Sequence, residues 1–494
     1  MKKTIKILSI LLSVCLLLTA CGINRTADET TVTEESQTET TKTETSSLRT
    51  DKKLTDGLLP YNEEDGLNPF FASSYENQYI IRLLYYPLFS IDSEFNAIPV
   101  IAESIKQNGK RVTVNIKKGL MASGGIIQAS DVVYSFNMAK SSEYYAGDLL
   151  NVESVMVSGT YSVDFTLTRA DSYTAEQLVF PIVSSGTAES KTDIPQGYGA
   201  YVYKNESLVP TDGEGNEIKL YSATSTNMVY NAYKVGNSSI YFSDLSDCNF
   251  IQSIGQEKDL QLTNMVYLGI NKERGSLNSN IRSAIALLID SETIADECYQ
   301  GHATAVKIPS LMEKSPVENA ANKERADRII NSCGYTYYAG KALTNGAYVL
   351  SFSLIVNKDN KYRLNAAYEI ADRLNEAGFY IEVKPLSFAD YKERIESGNY
   401  EMYLGEVKLD YSFSLSQFFE KDGLLSAGIS QTSASSYFKM RNGSLTKEEY
   451  ITNFVTDYPF IPICFRKAYV LYSNGLSGDF PRAPYDIYYG IFQE

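Results

Sequence analysis

The chain has 494 residues, a formal net charge of −15, one histidine and no tryptophan. Such an acidic chain lacks the basic face that nucleic acid requires, and a single histidine excludes the paired-histidine motifs of zinc proteases. The length suggests two or three domains.

Lys2, Lys3 and Lys6 form a basic start, and residues 7–18 are apolar apart from Ser9 and Ser13. That run is too short to cross a bilayer as a helix, which takes roughly 20 residues, so residues 1–20 read as an export signal. Leu18-Thr19-Ala20-Cys21 and the following Gly22 resemble a lipobox, where bacterial lipoproteins are cut and lipidated on the cysteine. The alternative is an ordinary cleaved signal with an incidental cysteine. Cleavage removes three lysines and no acid, taking the net charge to −18. Anionic lipid repels such a chain, so anchoring to the outer face of the cell membrane would come from acyl groups such as palmitate on Cys21, and more than one is needed. Residues 21–51 then form a tether. Within 26–50, ten of 25 residues are threonine and six are acidic, a composition that cannot bury a core.

The body starts near Lys52. Residues 74–84 read as a helix before the Tyr85-Tyr86-Pro87-Leu88-Phe89 turn, and 111–116 and 161–167 alternate as strands. Residues 128–140 read as a helix capped by Ser130 or Asp131. Together 86–180 suggest a small α+β unit. Further on, 348–356 reads as a strand, 361–377 as a helix with Leu364, Ala367, Ile370, Ala371 and Leu374 on one stripe, and 379–383 as a strand. A helix over 388–396 and a strand over 401–405 follow. Short links between these elements predict a parallel sheet with right-handed crossovers. Ligands of such sheets sit beyond the strands' carboxyl ends, which directs attention to the residues just after Leu404.

Several ordered motifs carry a resemblance. They are Leu67-Asn68-Pro69-Phe70 with Tyr85-Tyr86-Pro87-Leu88, Lys117-Lys118-Gly119-Leu120 with Ala129-Ser130-Asp131-Val132-Val133-Tyr134-Ser135-Phe136, and Gly197-Tyr198-Gly199-Ala200-Tyr201. Leu268-Gly269-Ile270-Asn271, Ile281-Arg282-Ser283-Ala284-Ile285 and Phe460-Ile461-Pro462-Ile463 continue the series. Through them the chain resembles the extracellular solute-binding lipoproteins of ABC importers in the oligopeptide/dipeptide/nickel-binding family, bacterial solute-binding protein family 5.

The resemblance implies an α/β, two-lobed periplasmic-binding-protein fold of type II with an accessory α+β domain. Lobe I would comprise 52–85, 181–272 and 458–494, with 86–180 as its accessory domain, and lobe II would be 273–457. Chain crossings near 271–275 and 457–461 would form the hinge. Lobes that close on a solute would present the closed form to an ABC permease and its ATPase. The resemblance places Asp410, followed by Tyr411, where peptide-binding members pair an Asp with the ligand's α-ammonium. Gly405, Glu406 and Val407 would offer backbone groups to an extended peptide, and Ser73, Ser74 and Tyr75 would meet the ligand from lobe I. A loop carboxylate capping a turn is the alternative for Asp410, and ordinary turn residues for Ser73, Ser74 and Tyr75. Departures exist: Ile105 stands where the family has tryptophan, and the segment between Phe419 and Phe460 is short. One histidine, His302, placed on a surface turn, disfavours nickel. Small peptides lead as the solute, with sugars or other polar solutes behind, and no cofactor or metal is expected.

Four cysteines remain after the leader and Cys21. Bridges Cys248–Cys464 and Cys298–Cys333 are weighed against free, buried thiols. A secreted hydrolase is the rival class, but no Gly-x-Ser-x-Gly elbow occurs; a carboxylate-pair glycosidase stays open on sequence alone. A sensor or scavenger without a permease also stays open. A monomer that binds and does not catalyse is the leading expectation.

Overall fold

The computed structural model describes residues 58–119, 121–122, 125–213, 217–246, 256–338, 342–346, 348–421, 423–473 and 487–488. The leader, Cys21, the tether and Cys248 lie outside these residues.

β1 (Leu58–Tyr61) leads into α1 (Tyr75–Leu84). β2 (Ala102–Asn108), β3 (Arg111–Ile116), α2 (Ala129–Ser141), β4 (Val152–Gly159) and β5 (Ser162–Leu167) follow, the strands forming an antiparallel sheet of order β2-β3-β5-β4. Val112, Val114, Val163 and Phe165 are buried, and Phe136 of α2 lays its ring against Phe165 with centroids 5.8 Å apart. The start of α2 differs from expectation. Gln128, not Ser130 or Asp131, is the N-cap residue; Asp131 sits three residues inside, and its carboxylate accepts from Gln128 N at 2.9 Å. A carboxylate at that position satisfies an amide ahead of the helix, which is why the acid lies inside the first turn.

β6 (Tyr201–Lys204), β7 (Ser207–Pro210) and β8 (Ile218–Ser222) form a meander, and β1 adds to β8 in parallel. The chain reaches this sheet through Gly197 and Gly199, which press on the end of α1. A Cβ on Gly199 would lie 2.2 Å from Leu83 O.

The main later elements are α3 (Thr226–Lys234), β9 (Ile240–Ser243), β10 (Gln256–Ile270), α4 (Ser279–Leu288), β11 (Ala303–Ala305), α5 (Lys323–Ser332), β12 (Ser351–Asn357) and α6 (Lys361–Glu376). β13 (Tyr380–Leu386), α7 (Phe388–Glu396), β14 (Met402–Lys408), α8 (Ala434–Arg441), α9 (Lys447–Asp457) and β15 (Phe460–Tyr472) complete them. One mixed sheet runs β9-β15-β10-β14-β12-β13, with β11 also paired to β15. β12 is parallel to both β13 and β14, as the strand–helix–strand–helix–strand reading requires. The first strand of that unit is broken, however. Tyr348 and Val349 pair with 344–345 in a separate small sheet. Leu350 marks the break: its amide donates to Leu343 O while its carbonyl accepts from Tyr380 N at 2.9 Å, so one residue serves two ladders.

Two apolar cores flank the sheet. Strand alternation sends Ile240, Phe242, Ala468, Val470 and Tyr472 into one, with Ile80, Phe136 and Phe165. Tyr241, Tyr469 and Leu471 go to the other, with Leu354, Ile370, Leu404 and Phe460. Long strands β10 and β15 therefore join both bodies.

One open alternative is decided and one expectation is corrected. Cys298, Cys333 and Cys464 are free thiols, so neither bridge forms; Cys298 and Cys464 are instead buried as small apolar side chains. His302 is not on the surface. It is 8% exposed, with Nδ1 2.9 Å from Asp259 Oδ1, because the turn at Gly301 folds it against β10 and Tyr469.

Candidate functional site

β14 supplies the centre of the site. Its pairing with β12 ends at Leu404, while its other edge stays paired to β10 through Lys408. Residues beyond Leu404 thus leave the parallel ladder at its carboxyl end and border two cavities; a third lies beside the entry to α1.

Tyr144, Asp148 and Gln177 face Lys408, Asp410 and Gln417 across the first cavity, of about 70 Å³. Asp410 is half-buried. Its Oδ1 accepts from Ser412 N at 3.0 Å, Ser412 Oγ at 2.6 Å and Ser414 N at 2.9 Å. It therefore does cap a turn, and it also lines a cavity. Burial raises its carboxyl above the usual range, with Arg441 pulling the other way. Burial likewise pushes the Asp148 carboxyl up to about 7, opposed by Lys408. Lys408 lies over the Tyr144 ring at 5.0 Å. Tyr411 is half-buried against the second core.

Gly405, Glu406 and Val407 line the second cavity, also about 70 Å³, with Arg363, Tyr391 and Gln417. Gly405 is needed for packing. A Cβ there would sit 2.8 Å from the Tyr267 ring, which meets Tyr403 edge-on with hydroxyls 3.0 Å apart. The Glu406 side chain is committed to Arg466 Nη1 at 2.8 Å and Asn264 Nδ2 at 3.0 Å, with Arg363 Nε at 3.7 Å. Burial opposes its charge, yet Arg466 and Arg363 hold the carboxyl below its ordinary value.

Ser73, Ser74 and Tyr75 line a third cavity of about 300 Å³ with Asp65, Glu76 and Asp244. Asp65 Oδ2 accepts from both Ser73 N and Ser74 N at 2.7 Å, fixing the entry to α1. The Tyr75 ring lies 5.1 Å from that of Phe242.

Apart from Tyr411, which lines none of them, the residues singled out from sequence are distributed over three cavities. Gln417 lines the first two, and Arg466 links the second to the third by binding Glu406 and the Asp244 carbonyl. Sequence reading missed Arg466 and Asp244. An arginine inside the apolar run 460–472 was an available signal, since a buried cation demands a partner. It also missed the contact of residues 171–172 with the end of α8, outside the lining of the first cavity. Arg441 Nη2 and Nε bond Asp171 Oδ2 at 2.6 and 3.1 Å, and Ser172 N donates to Arg441 O at 2.7 Å.

Residues 216–421 match the family model "Bacterial extracellular solute-binding proteins, family 5 Middle". The oligopeptide-binding protein AppA of Bacillus subtilis (strain 168) is 22% identical over 383 residues, covering 68% of this chain and 69% of that protein. Among solved structures, the unliganded open form of MppA, a periplasmic murein tripeptide binding protein, superposes with a TM-score of 0.71 at 17% identity, over 90% of this chain and 98% of MppA. A nickel ABC transporter structure from Bacillus halodurans gives 0.69 at 15% identity, over 86% and 96%. No helix among the described residues is long and apolar enough to cross a membrane. The family match takes in β14 and residues 409–417 beyond it, and the chain shares the fold of these solute-binding proteins.

Proposed function

We propose that this protein is the substrate-binding receptor of an ABC importer, held to the outer face of the membrane by lipid on Cys21, which captures a small peptide or similar solute and passes it unchanged to a permease and its ATPase. The observation carrying this reading is the first cavity, at the carboxyl end of β14 and walled by 144–151 on one side and 408–417 on the other. Its 70 Å³ is far below the roughly 300–1,000 Å³ of ligand pockets, so a solute enters only when the walls part. Movement of lobe II (273–457) against lobe I (52–85, 181–272 and 458–494) and its accessory domain (86–180), about crossings at 271–275 and 457–461, would part them. The names of AppA and MppA, both peptide-binding, favour peptides over metal complexes. Asp410 would receive the α-ammonium through Oδ2. Backbone groups of 405–407 and the 73–75 segment would hold the rest.

Thermal-shift screening of di- to hexapeptides, free amino acids, glycans and metal ions tests this. A solute at 100 times its Kd stabilises by about 2.7 kcal/mol. Peptides should register, and Asp410→Ala should weaken free peptides strongly while N-acetylated peptides barely change. Equal losses for both would remove Asp410 from the ammonium site, and turnover of a bound peptide would end the receptor reading.

A further inference from the structure

Building on the receptor reading, we propose that the third cavity accepts a cationic group of the solute, an organic ammonium or guanidinium, with Asp244 as the carboxylate that receives it. Three acids line this cavity, Asp65, Glu76 and Asp244, and no basic side chain does. The hydrogen bonding separates them. Asp65 is committed to the two serine amides, with Lys191 Nζ at 3.7 Å. Asp244 is 6% exposed, and its Oδ1 accepts from Ser246 N at 2.9 Å. Its Oδ2 is buried without a hydrogen-bond partner. Arg466 does not fill that role, because its two amino groups bind the Asp244 carbonyl and Glu406.

Ser74 adds a second, independent observation. It stands at the N-cap of α1, where a serine hydroxyl ordinarily accepts from a helix amide. Here it makes no such bond, and its Oγ is buried and unpartnered. A buried acceptor without a donor is costly, and two of them on one cavity call for a donor from outside the protein. An ammonium or guanidinium brings several N–H groups and a charge to match. The rings of Phe242 and Tyr75, both on the cavity wall, suit a cation over an aromatic face. No group of three metal-ligating side chains occurs among the described residues, which favours an organic cation over a metal ion.

Isothermal titration of the full-length protein with trialanine, with tripeptides carrying lysine, arginine or norleucine at each position, and with cadaverine and agmatine tests the assignment. At one position or more, lysine or arginine should bind at least tenfold tighter than norleucine. Asp244→Asn should erase that difference and leave trialanine unchanged. Ser74→Ala, a second variant that spares the buried charge, should weaken cationic probes severalfold. Trialanine binding without any cationic preference, or a preference surviving Asp244→Asn, overturns the proposal and leaves the receptor reading standing. If every peptide fails but cadaverine or agmatine binds and is lost in Asp244→Asn, the proposal stands and peptides are not the solute. Absence of binding by all probes overturns it.

Discussion

Asp244 ties stability to pH through one side chain. Burial pushes its carboxyl up to about 7, Arg466 and Ser246 oppose that rise, and Glu406 adds to it. Asp65 and Glu76 share its cavity. In an unfolded chain an aspartate titrates near 4. Between about pH 4 and pH 7 the folded state therefore holds a proton that the unfolded state has lost. Stability from this group is fully present below about 4 and is lost as pH rises towards 7. A rise of this size corresponds to roughly 4 kcal/mol at ~1.4 kcal/mol per pH unit. Denaturation of wild type and Asp244→Asn from pH 4.5 to 8 should show the variant gaining relative stability as pH rises. Parallel curves would mean that the carboxylate is solvated or paired in solution.

Among elements, those with one buried stripe and a clear stop were legible in the sequence. α6 and α7 lie within a residue of their expected bounds, because their apolar periods are regular and Gly378 and Gly398 end them at φ of +92° and +67°. β10 and β15 were harder. Each feeds two cores and carries charges such as Asp259 and Arg466 within the strand, which breaks the alternation that marks a one-sided strand. The segments 405–410 and 73–75, named from the sequence, border cavities in the structure, but their partners were not legible. Arg441 meets Asp171 across 270 residues and Arg466 meets Glu406 across 60, and no local pattern encodes such pairs. The Gly-x-Gly turn was visible, but its reason lies in the fold: Gly199 lets the chain touch the end of α1. Gly199→Ala places Cβ 2.2 Å from Leu83 O and should cost about 1–3 kcal/mol in urea unfolding. Gly275, with open space around its Cβ, is the control. Gly275→Ala should be neutral or stabilising by about 0.4–1 kcal/mol.

At the scale of the molecule, the question is what holds the two walls of the first cavity together without a solute. Two ion pairs outside the cavity lining join the segments that continue from its walls, residues 169–171 to residues 420 and 441. Arg169–Glu420 is mostly solvated, with side-chain exposures of 53% and 33%, and such pairs contribute roughly 0–1 kcal/mol. Arg441–Asp171 is buried at 5% and 8%, and removing one partner strands the other charge in the interior. Arg441 also donates to Ser412 O at 2.7 Å, so it braces the turn that carries Asp410. Under the proposed lobe division this pair sets the closed population. A solute that binds the closed form loses apparent affinity in proportion to the fraction closed. Asp171→Ala and Arg441→Ala should each enlarge the radius of gyration in small-angle scattering of the solute-free protein and raise the apparent Kd. Arg169→Ala should change neither. Asp171→Ala keeps the Arg441 brace on the Ser412 turn, so its effect isolates opening from damage to the site. An unchanged radius in both buried-pair variants would mean that the rest of the interface, including the Phe95–Phe413 ring contact at 5.1 Å, holds the walls shut without the pair.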